Sequence, residues 1–302
     1  MKKLHHYTPM LLLTIAASVF MIVTELLVFC NYMVFNTDYY VWVITDSGAD
    51  SALYNEIDTY FRRLSQPTGI PQEVYTKSLD KKKVSTASKR MTKMALDYTF
   101  GKSNAEPAPN YDYTQFETDV TEYIEKYSEA NNIEKDAEYY SFIDNTIDVA
   151  EKKMDASFDI MMAGKLADSS VPKLTRKVVP TLNYVMGISI LVLAGLFGLM
   201  YFVDRHHVCD LPYWLGTIMF SGSAVFLIPA VYCRATGYFD GFFMEEQSLY
   251  YAITGSIYNV TDRLIIANGI LFALGIVLII FAQVIHVYRI KDARERAHED
   301  ED

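Results

Sequence analysis

One carboxylate, Glu25, lies inside a long apolar run, MIVTELLVFC, which extends from residue 21 to residue 30. A charged side chain at the centre of a bilayer costs about 2.5–3.5 kcal/mol on insertion scales, so it usually faces a neighbouring helix or an aqueous cavity. Ionisable residues in such segments are therefore candidates for ligand binding or ion transport. Glu25 is the first candidate functional residue of this chain.

Polar residues in three other apolar segments are expected at a similar depth in the membrane. Counting about 1.5 Å per residue from Pro9 places Glu25 roughly 24 Å along the first helix. The residues at comparable depth are Asn183, Arg234, Arg263 and Asn268. We expect Glu25 to pair with Arg234 or Arg263. Such a cluster either fixes the register of four packed helices, which we favour, or lines a ligand or ion pathway. In the first case, close approach of the helices is helped by residue pairs at small-xxx-small spacing, Ala194 with Gly198 and Gly269 with Ala273.

A second set of candidates consists of acids spaced three or four residues apart on one predicted helix: Asp144, Asp148, Glu151, Asp155 and Asp159. This spacing places them in one strip beside the apolar face of the helix. The strip is a candidate site for a metal ion, calcium above all, or for a basic partner. A solvated helix face is favoured, because carboxylates at these spacings repel one another and no loop supplies further oxygen ligands for calcium.

Histidine and cysteine are too few and too poorly placed to predict catalysis. The long segment 36–179 contains neither residue type. Nucleophilic hydrolases and zinc sites commonly need them, so we predict no catalytic residue and no cofactor. We favour a non-enzymatic protein over the remaining alternative, an enzyme that acts on lipid in the outer leaflet. A cluster of His206, His207 and Cys209 lies in a short turn and is interpreted as a topology signal. Cys30 and Cys233 both lie near one membrane boundary, where a disulfide or two free thiols are open alternatives.

Four windows are apolar enough to cross about 30 Å of hydrocarbon, although the mean hydropathy of the 302-residue chain is only +0.09. They cover residues 9–35, 180–203, 211–233 and 264–287. The first is longer than the apolar part of a signal peptide and no small-residue cleavage site follows it, so it should remain as an anchor. Basic residues concentrate on one side of the predicted membrane: Lys2, Lys3, Arg205, Arg289, Lys291, Arg294 and Arg296. This bias predicts a multi-pass protein of the cell membrane with both termini in the cytoplasm.

The segment 36–179 is then extracytoplasmic, and we predict that it forms a bundle of about four helices. Apolar residues recur at helical spacing from Leu53, from Val84, from Phe116 and from Tyr140. The fold class is therefore all-α: a four-helix transmembrane bundle with a mainly helical extracytoplasmic domain between the first and second spans. The predicted parts are 1–35, 36–179, 180–288 with a cytoplasmic turn at 204–210 and an interfacial loop at 234–263, and a charged cytoplasmic tail at 289–302.

The order of these parts, with the phrases GIPQEVY and YNVTDR, resembles that of uncharacterised four-span membrane proteins of Gram-positive bacteria that carry a helical extracytoplasmic insert. The resemblance covers most of the chain and implies a cell-membrane location. It implies no activity.

The leading functional hypothesis is a non-enzymatic scaffold or sensor whose helical ectodomain binds an envelope component, an extracellular signal or a membrane partner. The alternative is a transporter or channel component that uses the polar cluster around Glu25 and that would need to form a homo-oligomer. Membrane lipid is an expected partner. Nucleic acid is not, because the net charge is −10 and no basic face is predicted.

Overall fold

The computed structural model describes the backbone of residues 2–108, 111–205 and 210–299, and side chains from residue 7 to residue 291 within those ranges. His206, His207 and Cys209 lie outside the described residues. The side chains of His5, His6 and His298 also lie outside them.

Every long regular element in the described ranges is an α-helix, as the apolar periodicity predicts. The helices are α1 (Lys2–Phe29), α2 (Thr37–Asp46), α3 (Ala49–Thr68), α4 (Gln72–Thr76), α5 (Lys81–Thr99), α6 (Thr114–Ala130), α7 (Ala137–Phe158), α8 (Ala163–Ala167), α9 (Val171–Asp204), α10 (Leu211–Ala235) and α11 (Gln247–Glu299). A single π-helical segment, Cys30–Val34, follows α1, and a 3₁₀ turn, Tyr238–Gly241, follows α10.

Four of these helices are long and apolar enough to cross a membrane, which confirms the four predicted windows. They cover Tyr7–Val34, Val171–Asp204, Leu211–Ala235 and Gln247–Lys291. Two begin earlier than predicted. Helix α9 begins at Val171 and continues through Pro180, and α11 begins at Gln247, so the second half of the predicted interfacial loop 234–263 is helical.

The chain divides into two compact units. The membrane unit comprises Met1–Val34, Pro180–Phe239 and Tyr258–Asp302, and the helical unit comprises Phe35–Val179 and Asp240–Ile257. The first segment of the helical unit coincides within one residue with the predicted domain 36–179. Its second segment was not predicted.

Within the membrane unit, α1 packs against α9 and α10 through a small apolar core that includes Met10, Met200 and Ile218. Side-chain hydrogen bonds join the same helices. The hydroxyls of Ser18 and Ser221 are 3.0 Å apart, and those of Thr24 and Ser189 are 2.7 Å apart. Hydroxyl pairs of this kind hold membrane helices together where apolar burial gives no driving force.

Helices α10 and α11 of the membrane unit approach closely at Gly216 and Gly275. A Cβ atom on Gly216 would lie 2.7 Å from the carbonyl oxygen of Gly275, so only glycine fits at this distance. We expected close packing instead at the small-residue pairs Ala194 with Gly198 and Gly269 with Ala273. That expectation is wrong for both glycines, because a Cβ atom on either would meet no atom within 4 Å.

The helical unit is built around aromatic side chains from successive helices. Phe61 of α3 stacks on Tyr75 of α4 with ring centroids 5.0 Å apart, and Phe116 of α6 packs beside both rings. All three are buried, with Met154 of α7 in the same core. The apolar faces of the four long helices therefore meet as their spacing predicts.

Local signals explain where these helices begin and end. Asp80 and Asp136 accept hydrogen bonds from the first turns of α5 and α7, and Gly69 and Gly101 adopt the positive φ that follows a helix end. Helix α2 was not predicted as a separate element, because its apolar residues continue from the first span without a break. It begins where the side chain of Asn36 accepts the N–H of Asp38.

Candidate functional site

Glu25 lines a cavity of about 700 Å³ within the membrane unit, and all four spanning helices contribute to its wall. Two of the residues predicted to lie near Glu25, Arg263 and Asn268, line the same cavity. Both carboxylate oxygens of Glu25 are buried, and neither has a hydrogen-bond partner among the residues that the structure describes. The same is true of the side-chain oxygen of Asn268.

The other two predicted members of this cluster lie elsewhere. The guanidinium of Arg234 contacts the carboxylate of Asp262 at 2.9 Å and lies over the ring of Tyr258. The side-chain amide of Asn31 donates a hydrogen bond to Asn183. Arg234 is therefore not the partner of Glu25, and Asn183 helps to join α9 to the end of the first span.

The depth of each polar residue could be predicted by counting along its helix, but the direction in which its side chain faces could not. Asn31 lies six residues beyond Glu25 on the first span, so at about 100° per residue the two side chains point in different directions. The hydroxyl contacts of Ser18 and Thr24 were missed for the same reason. Their signal in the sequence is the presence of Ser or Thr in each of three apolar segments, which does not identify the pairs.

The acidic side chains of the strip on α7 make separate contacts. Among the described residues, no group of three or more His, Cys, Asp or Glu side chains could hold a metal ion. Asp148 pairs with Lys152 at 2.6 Å, and Asp155 accepts a hydrogen bond of 2.5 Å from the hydroxyl of Tyr113. Asp144 is exposed to solvent.

Asp159, the last member of the strip, has a structural role at the turn into α8. Its carboxylate accepts the backbone N–H groups of Ala163 at 2.7 Å and Gly164 at 2.8 Å. Burial raises the pKa of Asp159 above its usual value, and these two hydrogen bonds oppose the rise. Gly164 permits the contact, since a Cβ atom there would lie 2.9 Å from the carboxylate.

Glu151 forms an unusual pair with Glu117 of α6. Burial, the hydrogen bond to Glu117 and the nearby charges of Asp155 and Asp148 raise the pKa of Glu151 to about 7. Two carboxyl groups can share a hydrogen bond only when one of them is protonated. A carboxyl group with this pKa is protonated in part of the molecules near neutral pH.

A groove of about 530 Å³ in the helical unit has a different composition. It lies between the end of α3, the second half of α6 and the start of α7. Its aromatic residues are Tyr123, Tyr127, Tyr139 and Phe142. The rings of Tyr123 and Tyr127 stack with centroids 6.4 Å apart, and Tyr127 and Phe142 are 53% and 42% exposed. Large aromatic surfaces left in contact with solvent are typical of binding sites.

The charged residues that line this groove are all acidic. Glu134 and Glu138 are exposed and form no ion pair within the described part of the chain. Asp136 also lines the groove, but its carboxylate caps α7 through the N–H of Tyr139. Lys135, between these acids in sequence, pairs with Glu129 instead. The groove therefore combines aromatic faces with uncompensated negative charge, which favours a cation.

Comparisons with protein-family models, with curated proteins and with solved structures find no match to this chain. The resemblance to four-span proteins of Gram-positive bacteria stays a prediction.

Proposed function

We propose that this protein is a non-enzymatic binding protein of the cell membrane, a scaffold or sensor whose helical unit lies outside the cytoplasm. The helical unit binds a partner protein or envelope component that presents a cationic group. The observation that carries this proposal is the groove beside α6 and α7, where four aromatic side chains lie next to two carboxylates that pair with no cation in the described ranges.

The distribution of basic residues supports this orientation. Arg205 follows the end of α9, and Arg289 and Lys291 lie near the far end of α11. Lys and Arg close to the ends of spans favour the cytoplasmic side. The helical unit is too long a segment for its own charges to decide its side of the membrane.

The groove suits a cationic side chain for two physical reasons. An ammonium or guanidinium group over the face of a tyrosine gains about 0.5–1 kcal/mol at an exposed site. The carboxylates of Glu134 and Glu138 would add attraction that is screened by salt. A partner that inserts a lysine or arginine side chain would satisfy both, and the exposed ring of Phe142 would cover its aliphatic part.

The cavity at Glu25 gives less support to the alternative of a transporter or channel component. Its polar residues are confined to one end: Thr24, Glu25, Arg263 and Asn268. Leu211, Leu215 and Leu278 line the other end, where an ion would find no polar ligand. A single chain with this cavity is better suited to binding than to conduction.

The proposal is tested with a lysine-rich peptide and the purified full-length protein, labelled with 4-fluorophenylalanine at position 142. We expect saturable shifts of the fluorine resonance, with affinity that falls as salt is raised. Acetylation of the peptide lysines should abolish the shifts. Glu134→Gln combined with Glu138→Gln should weaken binding about fivefold, since each exposed charge pair is worth about 0.2–1 kcal/mol.

Glu106→Gln serves as the matched control, because Glu106 is an exposed acid away from the groove. It should leave the affinity unchanged. Equal binding of the acetylated and unmodified peptides would contradict the proposal, as would an equal loss of affinity in the control.

A further inference from the structure

The cavity at Glu25 is a long groove whose polarity is divided along its length. On α11 its wall extends from Arg263 to Leu278, which is roughly 22 Å at about 1.5 Å per residue. Beyond the polar end the wall is apolar, with side chains from every spanning helix: Met21, Leu193, Phe197, Leu211, Leu215, Met219, Leu271 and Leu278. A groove of this length covers most of the roughly 30 Å hydrocarbon thickness of a bilayer.

The polar end contains buried hydrogen-bond acceptors that its own donors do not reach, although Arg263 lines the same end. Within the described residues, both oxygens of Glu25 and the side-chain oxygen of Asn268 are buried without a partner. The amide nitrogen of Asn268 already donates to the carbonyl of Leu264 at 3.2 Å. Buried acceptors without donors are rare in folded proteins, and each is costly, so this end of the groove is suited to a ligand that brings donors.

We propose that this groove binds a lipid-type amphiphile with one acyl chain and a head group that carries hydroxyl or amine donors. The chain lies against the apolar wall between the four spanning helices. The head group donates hydrogen bonds to Glu25 and Asn268. This assignment is independent of the groove in the helical unit, which is a separate site.

Other occupants match only part of the geometry. A metal ion or small cation would satisfy Glu25 but would leave the long apolar section empty. An acyl chain without donors would fill that section but would leave three buried acceptors unsatisfied. A transmembrane helix about 10 Å across and 22 Å long would need more than twice the 700 Å³ of the cavity.

The test uses native mass spectrometry of the purified full-length protein with three probes of equal chain length. Hexadecylamine and monopalmitoylglycerol carry donors in the head group, and methyl palmitate carries none. We expect one molecule of either donor-bearing probe to bind at least tenfold more tightly than methyl palmitate. A preference for the amine or for the hydroxyl probe identifies the head group, and both results support the proposal.

Two substitutions separate the head-group contact from the chain contact. Glu25→Leu combined with Asn268→Leu should remove the tenfold preference while methyl palmitate still binds. Leu271→Trp should block the groove and weaken all three probes. Asn259→Leu is the matched control, because Asn259 also has a buried oxygen without a partner on α11 but does not line the cavity. The Asn259→Leu variant should still bind the donor-bearing probes at least tenfold more tightly than methyl palmitate.

Equal binding of the three probes to the unmodified protein would overturn the proposal, since it would show that the groove holds only a lipid tail. A full preference retained in the double leucine variant would overturn it too, because the donors would then act elsewhere. A folded variant is recognised by an unchanged helical circular dichroism spectrum, so loss of folding is not mistaken for loss of the site.

Discussion

At the scale of single residues, the carboxyl pair of Glu117 and Glu151 links the helical unit to pH. Burial, together with the interaction with Glu117, raises the pKa of Glu151 to about 7. Asp148 and Asp155 on α7 add negative charge on the same side, and the hydroxyl of Tyr113 already donates to Asp155. A pKa raised above the unfolded value of 4.5 means that the folded state holds a proton more tightly than the unfolded state does.

The sign of the pH effect follows from this difference. The stabilising contribution is fully present below pH 4.5 and is lost as the pH rises through about 7. We predict that the melting temperature of the full-length protein falls between about pH 4.5 and about pH 7.5, by roughly 2–4 °C through this pair. Glu151→Gln should remove that part of the fall, as measured by circular dichroism in detergent.

Asp144→Asn is the control for this prediction, because Asp144 is an exposed acid on the same helix. It should leave the pH dependence of the melting temperature as it is in the unmodified protein. An unaltered dependence in Glu151→Gln would show that the carboxyl pair holds no proton of consequence for stability.

Single residues were the level at which the sequence was least informative. Glu25 lines the wall of a cavity, and the sequence shows its polarity directly, because an acid in an apolar run is a local property. The residues that share this cavity were only half predicted. Arg263 and Asn268 share its cavity, but Arg234 faces Asp262 and Asn183 faces Asn31. The rotation of each helix about its axis decides these contacts, and that rotation is set by packing against the other helices.

At the scale of elements, the spans themselves were predictable and their crossings were not. Hydropathy over about 20 residues is a sum over one segment, so each window could be recognised without knowledge of its neighbours. Close approach depends on two segments together. The pattern of small residues favoured Gly198 and Gly269, whereas the backbones approach at Gly216 and Gly275.

The glycine crossing gives a direct prediction at this scale. Gly216→Ala should lower the stability of the detergent-solubilised protein by about 1–3 kcal/mol, the usual cost of overpacking. The new Cβ atom would lie 2.7 Å from the carbonyl oxygen of Gly275 and 3.0 Å from the backbone nitrogen of Ile279, and neither atom can rotate away. The melting temperature of the variant measures this cost.

Gly269→Ala is the matched control, because it is the same change on a spanning helix where a Cβ atom meets nothing within 4 Å. It should be neutral or slightly stabilising, since alanine has the higher helix propensity. A larger loss of stability in Gly269→Ala than in Gly216→Ala would place the close crossing at the pattern predicted from sequence.

At the scale of the whole molecule, the chain contains two units whose surfaces suit different surroundings, lipid for one and water for the other. The membrane unit buries little of its apolar surface inside itself: only 11% of the most apolar window of α9 is buried. Such a helix is stable only where lipid replaces water around it. The helical unit instead has a closed aromatic core, centred on Phe61, Tyr75 and Phe116. Composition alone separates the two, which is why the predicted boundary near residue 35 coincides with the observed one.

The sequence did not reveal that residues 240–257 belong to the helical unit. The carboxylate of Glu56 accepts two hydrogen bonds from Ser248, one from its backbone N–H at 2.8 Å and one from its hydroxyl at 2.7 Å. An acid from α3 therefore caps the first turn of α11. This contact joins residues 192 positions apart. Local spacing cannot show such a pair, and the aromatic residues around it are equally consistent with a membrane interface.

The central claim, a helical unit outside the cytoplasm on a four-span anchor, is tested most directly by labelling cysteines in intact cells. Cys30, Cys209 and Cys233 are first replaced by serine, and single cysteines are then introduced by Glu106→Cys or Asp210→Cys. We predict that a membrane-impermeant maleimide labels the first variant in intact cells and the second only after permeabilisation. Labelling of Asp210→Cys in intact cells, with protection of Glu106→Cys, would contradict this account.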